Sequence, residues 1–175
     1  PYANGVVIPV YLICLAACNE SVTVIILREI GNRNQGQLNS ILFQYLDSQS
    51  PDVRMAAIGS LAKLKKPGTL ERLLNVYEAS NNANEKATVV RALAEFPSLN
   101  TSKLLKEALR STIGRIRANA IDALVEIEGA KVLPLIEPLL EDENNRVRAN
   151  AAMALYNFGQ TRAYDYLDKM MGSDD

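Results

Sequence analysis

The stretch RIRANAIDAL, residues 115 to 124, comes back thirty-one residues later as RVRANAAMAL, residues 146 to 155. Taking Arg117 and Arg148 as anchors, the same register reaches Lys86 in NEKATVVRALAEF and Arg54 in DVRMAAIGSLAKL. Leu61, Leu93, Leu124 and Leu155 stand seven residues after their anchors, and Leu64, Phe96, Ile127 and Phe158 stand ten after. Positions at −1, +3, +7 and +10 share one face of a helix, so each segment reads as an amphipathic helix, called B here.

A second ladder runs between these segments as the apolar pairs Ile41-Leu42, Leu73-Leu74, Leu104-Leu105, Leu135-Ile136 and Tyr166-Leu167. Its period is the same, and it marks a helix A ahead of each helix B. A single helix pair cannot bury its apolar face alone, whereas stacked copies share one core. The expected fold is therefore all-α: a right-handed α-solenoid of about five helix pairs with a terminal capping helix. The units fall near residues 5–31, 37–66, 69–97, 101–129 and 131–159, with the cap at 161–171, all in one repeat domain.

Local punctuation agrees. Thr69, Thr101 and Thr161 stand where a helix A begins and are expected to serve as N-caps. Gly129 and Gly159 follow helix B, where a glycine is favoured. Pro134 suits a first turn, and Pro138 predicts a broken last turn. The cap is expected to pack on Phe158 through Ala163, Tyr164, Tyr166 and Met170, with Gly172 to Asp175 as a disordered tail or truncation edge.

The run D-x-V-R-x-x-A-x-x-x-L, as in Asp52, Val53, Arg54, Ala57 and Leu61, resembles the second helix of HEAT-like repeats of the phycobilisome-lyase type. The likeness covers residues 37 to 171 well and the first 36 less clearly. It implies architecture and says little of activity. It also implies that Arg54, Lys86, Arg117 and Arg148 are structural, pairing with acids or carbonyls of an adjacent turn, with Asp47 or Glu141 as partners. Glu85 replaces the expected valine and Lys86 the expected arginine, so the turn there is expected to be looser.

Composition narrows the function. Of the 175 residues, 48% are hydrophobic and 22% charged, with 19 basic side chains against 20 acidic ones. A net charge of −1 supplies no global field for nucleic acid or an anionic membrane. The absence of histidine removes the commonest general base and metal ligand. Two cysteines, Cys14 and Cys18, are too few for a disulfide framework or a four-ligand metal site, and read as small buried apolar residues. No phosphate loop or nucleophile elbow occurs. No catalytic, cofactor or metal residue is assigned, and a reducing, cytoplasmic setting is expected.

The first thirty residues are less regular. VVIPVYLICLAAC, residues 6 to 18, is too short for a membrane span, and extension to Leu27 places Asn19, Glu20 and Ser21 at mid-depth. It reads first as a buried helix A, with a membrane segment within residues 6–27 or a dimer seam as alternatives. The start at Pro1 reads as the edge of a piece of a longer protein.

What remains is a surface. The positions +2, +5 and +9 from the anchors point away from the ladder and, with Tyr156, supply ten candidate partner-binding residues: Lys63, Arg91, Glu95, Asn119, Asp122, Glu126, Asn150, Met153, Tyr156 and Asn157. Mixed sign with a few large side chains suits a protein or peptide partner on a concave B-helix face better than nucleic acid. The expected function is a non-catalytic interaction or scaffold module. The alternatives are a regulatory domain on the cytoplasmic side of a membrane parent and, behind that, a nucleic-acid binder using Arg54, Arg117 and Arg148.

Overall fold

A computed structural model describes residues 3–172, of which the residues outside helices are turns and 3-10 segments; no strand occurs among them. Of the expected tail, Gly172 closes the last helix and residues 173–175 lie outside the described residues. The chain gathers into two compact units, Pro1–Phe96 and Pro97–Asp175, where the sequence reads as one repeat domain.

The first unit holds α1 (Ala3–Ala17), α2 (Glu20–Asn32), a short α3 (Asn39–Gln44) between 3-10 turns, α4 (Pro51–Leu64), α5 (Thr69–Ala79) and α6 (Ala83–Ala92). The second holds α7 (Leu99–Ala108), α8 (Gly114–Glu128), α9 (Leu133–Ile136) between two 3-10 segments, α10 (Asn145–Asn157) and α11 (Arg162–Gly172). The order is five helix pairs and a closing helix, an α-solenoid, with α2, α4, α6, α8 and α10 as the B helices.

The ladder is the core. Val53, Ala57, Leu61 and Leu64 are buried on α4, and Ile116, Ala120 and Leu124 on α8. Val147, Ala151 and Leu155 do the same on α10. Four of the five A-ladder pairs have one fully covered member, Leu42, Leu73, Leu105 and Ile136, whereas Tyr166 and Leu167 are both half-buried. Helix α4 is covered on more than one side, since it packs against both α2 and α6. The α2–α4 approach is close enough that Ser60 Oγ donates to the Leu27 carbonyl at 2.6 Å. A Cβ added at Gly31 would lie 2.7 Å from the Ser60 Cα, so only glycine fits there.

Serine and asparagine cap these helices. Asn19, Ser50, Asn82, Ser98 and Asn144 accept backbone N–H groups of the first turns of α2, α4, α6, α7 and α10. Thr69 and Thr101 do not cap: Thr69 is already helical after Gly68 (φ 79°), and Thr101 lies inside α7, its hydroxyl 2.8 Å from Ser98. Gly129 and Gly159 take positive φ after α8 and α10, as a C-terminal glycine should. Pro134 stands in the first turn of α9, and Pro138 falls in the 3-10 segment that replaces its end.

Over residues 9–17, α1 packs on α2 with Leu15 buried, while Val10, Leu12, Ile13 and Cys14 are exposed, Ile13 to 69%. Cys18 is half-buried, its sulfur 3.2 Å from the Thr23 hydroxyl. No described helix is long and apolar enough to cross a membrane, since the chain breaks between α1 and α2. The cap is seated by fully buried Ala163, and Tyr164 meets Tyr156 edge-on at 5.2 Å. Phe158 remains exposed instead of receiving the cap.

Candidate functional site

Two of the four anchors, Arg54 and Arg117, tie neighbouring repeats together. Arg54 Nε and Nη2 grip both carboxylate oxygens of Glu85 at 2.7 and 3.2 Å, while Nη1 donates to the carbonyls of Ser48 and Gln49. Arg117 repeats the design, with Asp142 at 2.8 and 2.6 Å and the Ser111 carbonyl at 2.6 Å. Arg148 donates to the Asp142 and Glu143 carbonyls and to the Asn145 side chain. Planar guanidinium forks suit this double duty of carboxylate and carbonyl.

The acids are therefore Glu85 and Asp142, not Asp47 and Glu141. The residue that breaks the motif is the partner of the preceding anchor, buried to 4% exposure and also receiving the Ser80 hydroxyl at 2.7 Å. The turn at residues 80–85 is consequently tied down, not looser. Lys86 turns to the Tyr77 ring at 5.3 Å. Hydrogen bonds from Arg117 hold the Asp142 carboxyl below the ordinary carboxylate range against the opposing effect of burial. With Arg54 and Arg117 committed to carboxylates, an arginine ladder for phosphates is not available.

Among the ten surface candidates, five line one groove between α8 and α10. Asp122, Glu126, Asn150, Met153 and Asn157, with Val125 and Ala154, enclose about 230 Å³. Met153 is 52% exposed there. Asn150 Nδ2 reaches across from α10 to both Asp122 oxygens, at 3.0 and 2.9 Å, and to the Ala118 carbonyl at 3.2 Å. Burial raises the Asp122 carboxyl above its ordinary pKa, while nearby Arg146 and the Asn150 amide oppose the shift. Tyr156 lies on the same helix, 43% exposed and against Tyr164.

The other candidates stand apart. Asn119 is buried at 7% exposure, a correction: like Ala56 in the same row it is covered by packing, whereas Thr88 and Asn150 of that row are half-buried. In the first unit Lys63 donates to the Asn32 side chain at 2.6 Å, Glu95 pairs with Lys65 at 2.6 Å, and Arg91 is exposed. Periodicity missed a larger cleft of about 660 Å³ around Leu46, Arg72, Val76 and the 80–82 turn. Unequal neighbouring repeats produce it, and only the odd Glu85 hinted at it. Among the described residues no cluster of three His, Cys, Asp or Glu side chains forms a metal cage.

The comparisons agree with the geometry. The family described as HEAT repeats matches residues 8–94, 70–137 and 101–175. The chain is a HEAT-repeat protein. A solved structure, "The structure of the complex of CpcE and CpcF of phycocyanin lyase from Nostoc sp. PCC7120", contains a chain that superposes on this HEAT protein with a TM-score of 0.67. The identity is 20%, and the match covers 94% of this chain and 70% of that one. At that identity the likeness establishes fold alone. No curated protein matches the sequence.

Proposed function

We propose that this HEAT-repeat chain is a non-catalytic interaction module that captures a protein partner in the α8–α10 groove. The observation that carries the reading is the convergence of Asp122, Glu126, Asn150, Met153 and Asn157 on one groove with Met153 exposed inside it. A large flexible apolar side chain beside carboxylates and amides offers burial together with directional hydrogen bonds, the mixture found at protein interfaces. HEAT repeats are stacking scaffolds that present such faces. The solved neighbour is itself part of a two-protein complex, which is consistent with a protein partner here. Catalysis forms no part of the proposal, because neither a histidine nor a nucleophilic serine or cysteine lines the groove.

The test is affinity capture with the 175-residue chain and a variant carrying Asp122→Ala and Met153→Asp. Both positions are exposed, so helical content by circular dichroism should be unchanged. A protein held by the parent chain and lost from the variant supports the reading; identical capture profiles refute it. Arg91→Ala serves as a third sample, since Arg91 lies outside the groove and should leave capture intact.

A further inference from the structure

The 660 Å³ cleft of the first unit lies within the size range of small-ligand pockets, and Asp47, Asn75 and Asn81 in its lining take no part in the inter-repeat bonds described above. One wall is apolar, made by Leu46, Val76 and Ala79. The base is the Arg54–Glu85 pair, whose charges are satisfied by each other. The remaining polar groups, on Asp47, Arg72, Asn75 and Asn81, are exposed and open to a ligand. Arg72 has no carboxylate partner among the described residues; one face of its guanidinium lies over the Phe43 ring at 5.6 Å. Stacking on a ring leaves the edge N–H groups of a guanidinium unused. Asn75 and Asn81 make no side-chain hydrogen bond among the described residues, and the Asp47 carboxylate forms no ion pair there.

We propose that this cleft is a second binding site, for a short peptide segment bearing a carboxylate next to an apolar side chain. The open positive charge of Arg72 asks for an anion, and its fork matches a carboxylate. Asp47 asks for a donor on the same ligand, which excludes a bare fatty or dicarboxylic acid and is met by peptide N–H groups. Asn75 and Asn81 each carry both a donor and an acceptor, the complement of a peptide bond. The apolar neighbour takes the Leu46–Val76–Ala79 wall. This site shares no residue with the α8–α10 groove and stands or falls independently of it.

The carboxylate can belong to an acidic side chain or to a chain end, and two peptides separate these sources. Isotope-labelled full-length chain is titrated at neutral pH with Ac-Ala-Leu-Glu-Ala-amide, with Ac-Ala-Leu-Ala bearing a free carboxyl end, and with Ac-Ala-Leu-Gln-Ala-amide as the neutral control. Concentrations run to about 10 mM, since short peptides bind at the millimolar end of the affinity scale. Amide shifts should cluster around Leu46, Arg72 to Val76 and Asn81. At least one carboxylate peptide should bind at least tenfold more tightly than the control, and which one does so identifies the source. Arg72→Gln should abolish that preference with helicity retained, since the residue is exposed. Asn81→Ala, on an exposed turn, should weaken whichever charged peptide binds. Equal binding of charged and neutral peptides, shifts elsewhere, no binding, or a preference that survives Arg72→Gln would overturn the proposal.

Discussion

Replacing Arg117 with methionine tests the seam between the fourth and fifth helix pairs. The side chains of Arg117 and Asp142 are each only 8% exposed, so the pair is held away from water. The thioether chain would keep much of the aliphatic stem's volume while removing both N–H donors to Asp142 and the donor to the Ser111 carbonyl. Breaking one half of a buried pair generally costs about 3–5 kcal/mol, because the other charge is left stranded. Here the Asn144 N–H still donates to Asp142 at 2.8 Å, which places the expected cost near the lower end, about 3 kcal/mol. Glu143, the third acid at 3.4 Å, is 83% exposed, so Glu143→Ala should change stability by no more than about 0.5 kcal/mol. Combining Arg117→Met with Asp142→Leu removes both charges, and the double variant should be more stable than additivity requires, by about 2 kcal/mol. Urea unfolding followed by circular dichroism gives the energies, and hydrogen exchange in α8 and α10 locates the loss in the second unit. A cost below about 1 kcal/mol for Arg117→Met, or strict additivity in the double variant, would refute the assignment of the arginine to repeat stacking.

Three further outcomes are expected. Leu124→Ala, at a fully buried ladder position, should cost on the order of 2–5 kcal/mol, against about 0.5 kcal/mol or less for exposed Glu126→Ala; similar urea midpoints for the two would mean the helical phase is misassigned. Gly31→Ala should destabilise the α2–α4 contact, because the new methyl meets the Ser60 backbone and not a movable side-chain end; unchanged exchange protection in α2 would contradict that close approach. The acid limb of stability should carry the Asp142 signature. Its folded pKa is depressed, chiefly by the Arg117 hydrogen bonds, so its contribution is complete above the unfolded value of about 3.9 and lost as pH falls through the lower folded value. The stability gap between the parent chain and Asp142→Asn should accordingly narrow below about pH 4, and a gap that widens on acidification would reverse the sign of the linkage.

The helix pairs were legible because burial repeats with the chain. Positions −1, +3, +7 and +10 face the same neighbour in each copy, so their apolar character recurs at a fixed period and survives differences at every other position. Caps were legible only in type. Small polar residues crowd each turn, and whether Ser98 or Thr101 accepts the first-turn N–H depends on where the chain enters the helix. The cover of the first helix was not legible, because an all-apolar segment announces a need for cover without saying what supplies it. Helix α2 covers the side around Leu15, while Ile13 and, on α2 itself, Ile25 face outward.

The sites were less legible, for a reason internal to repeats. A ladder is what neighbouring copies have in common, and it records the core they share and not the surface between them. A cleft needs a local departure from the pattern. Glu85 is such a departure: by taking the position of a ladder valine it gives Arg54 a carboxylate, ties down the 80–82 turn through Ser80, and forms the floor beside Arg72 and Asn81. Met153 is another, since it occupies a row that elsewhere holds Gly59, Arg91 and Asp122, and it opens to solvent beside the Asn150–Asp122 contact. In a solenoid, then, regularity identifies the core, and the residues that interrupt it are where binding chemistry should be sought first.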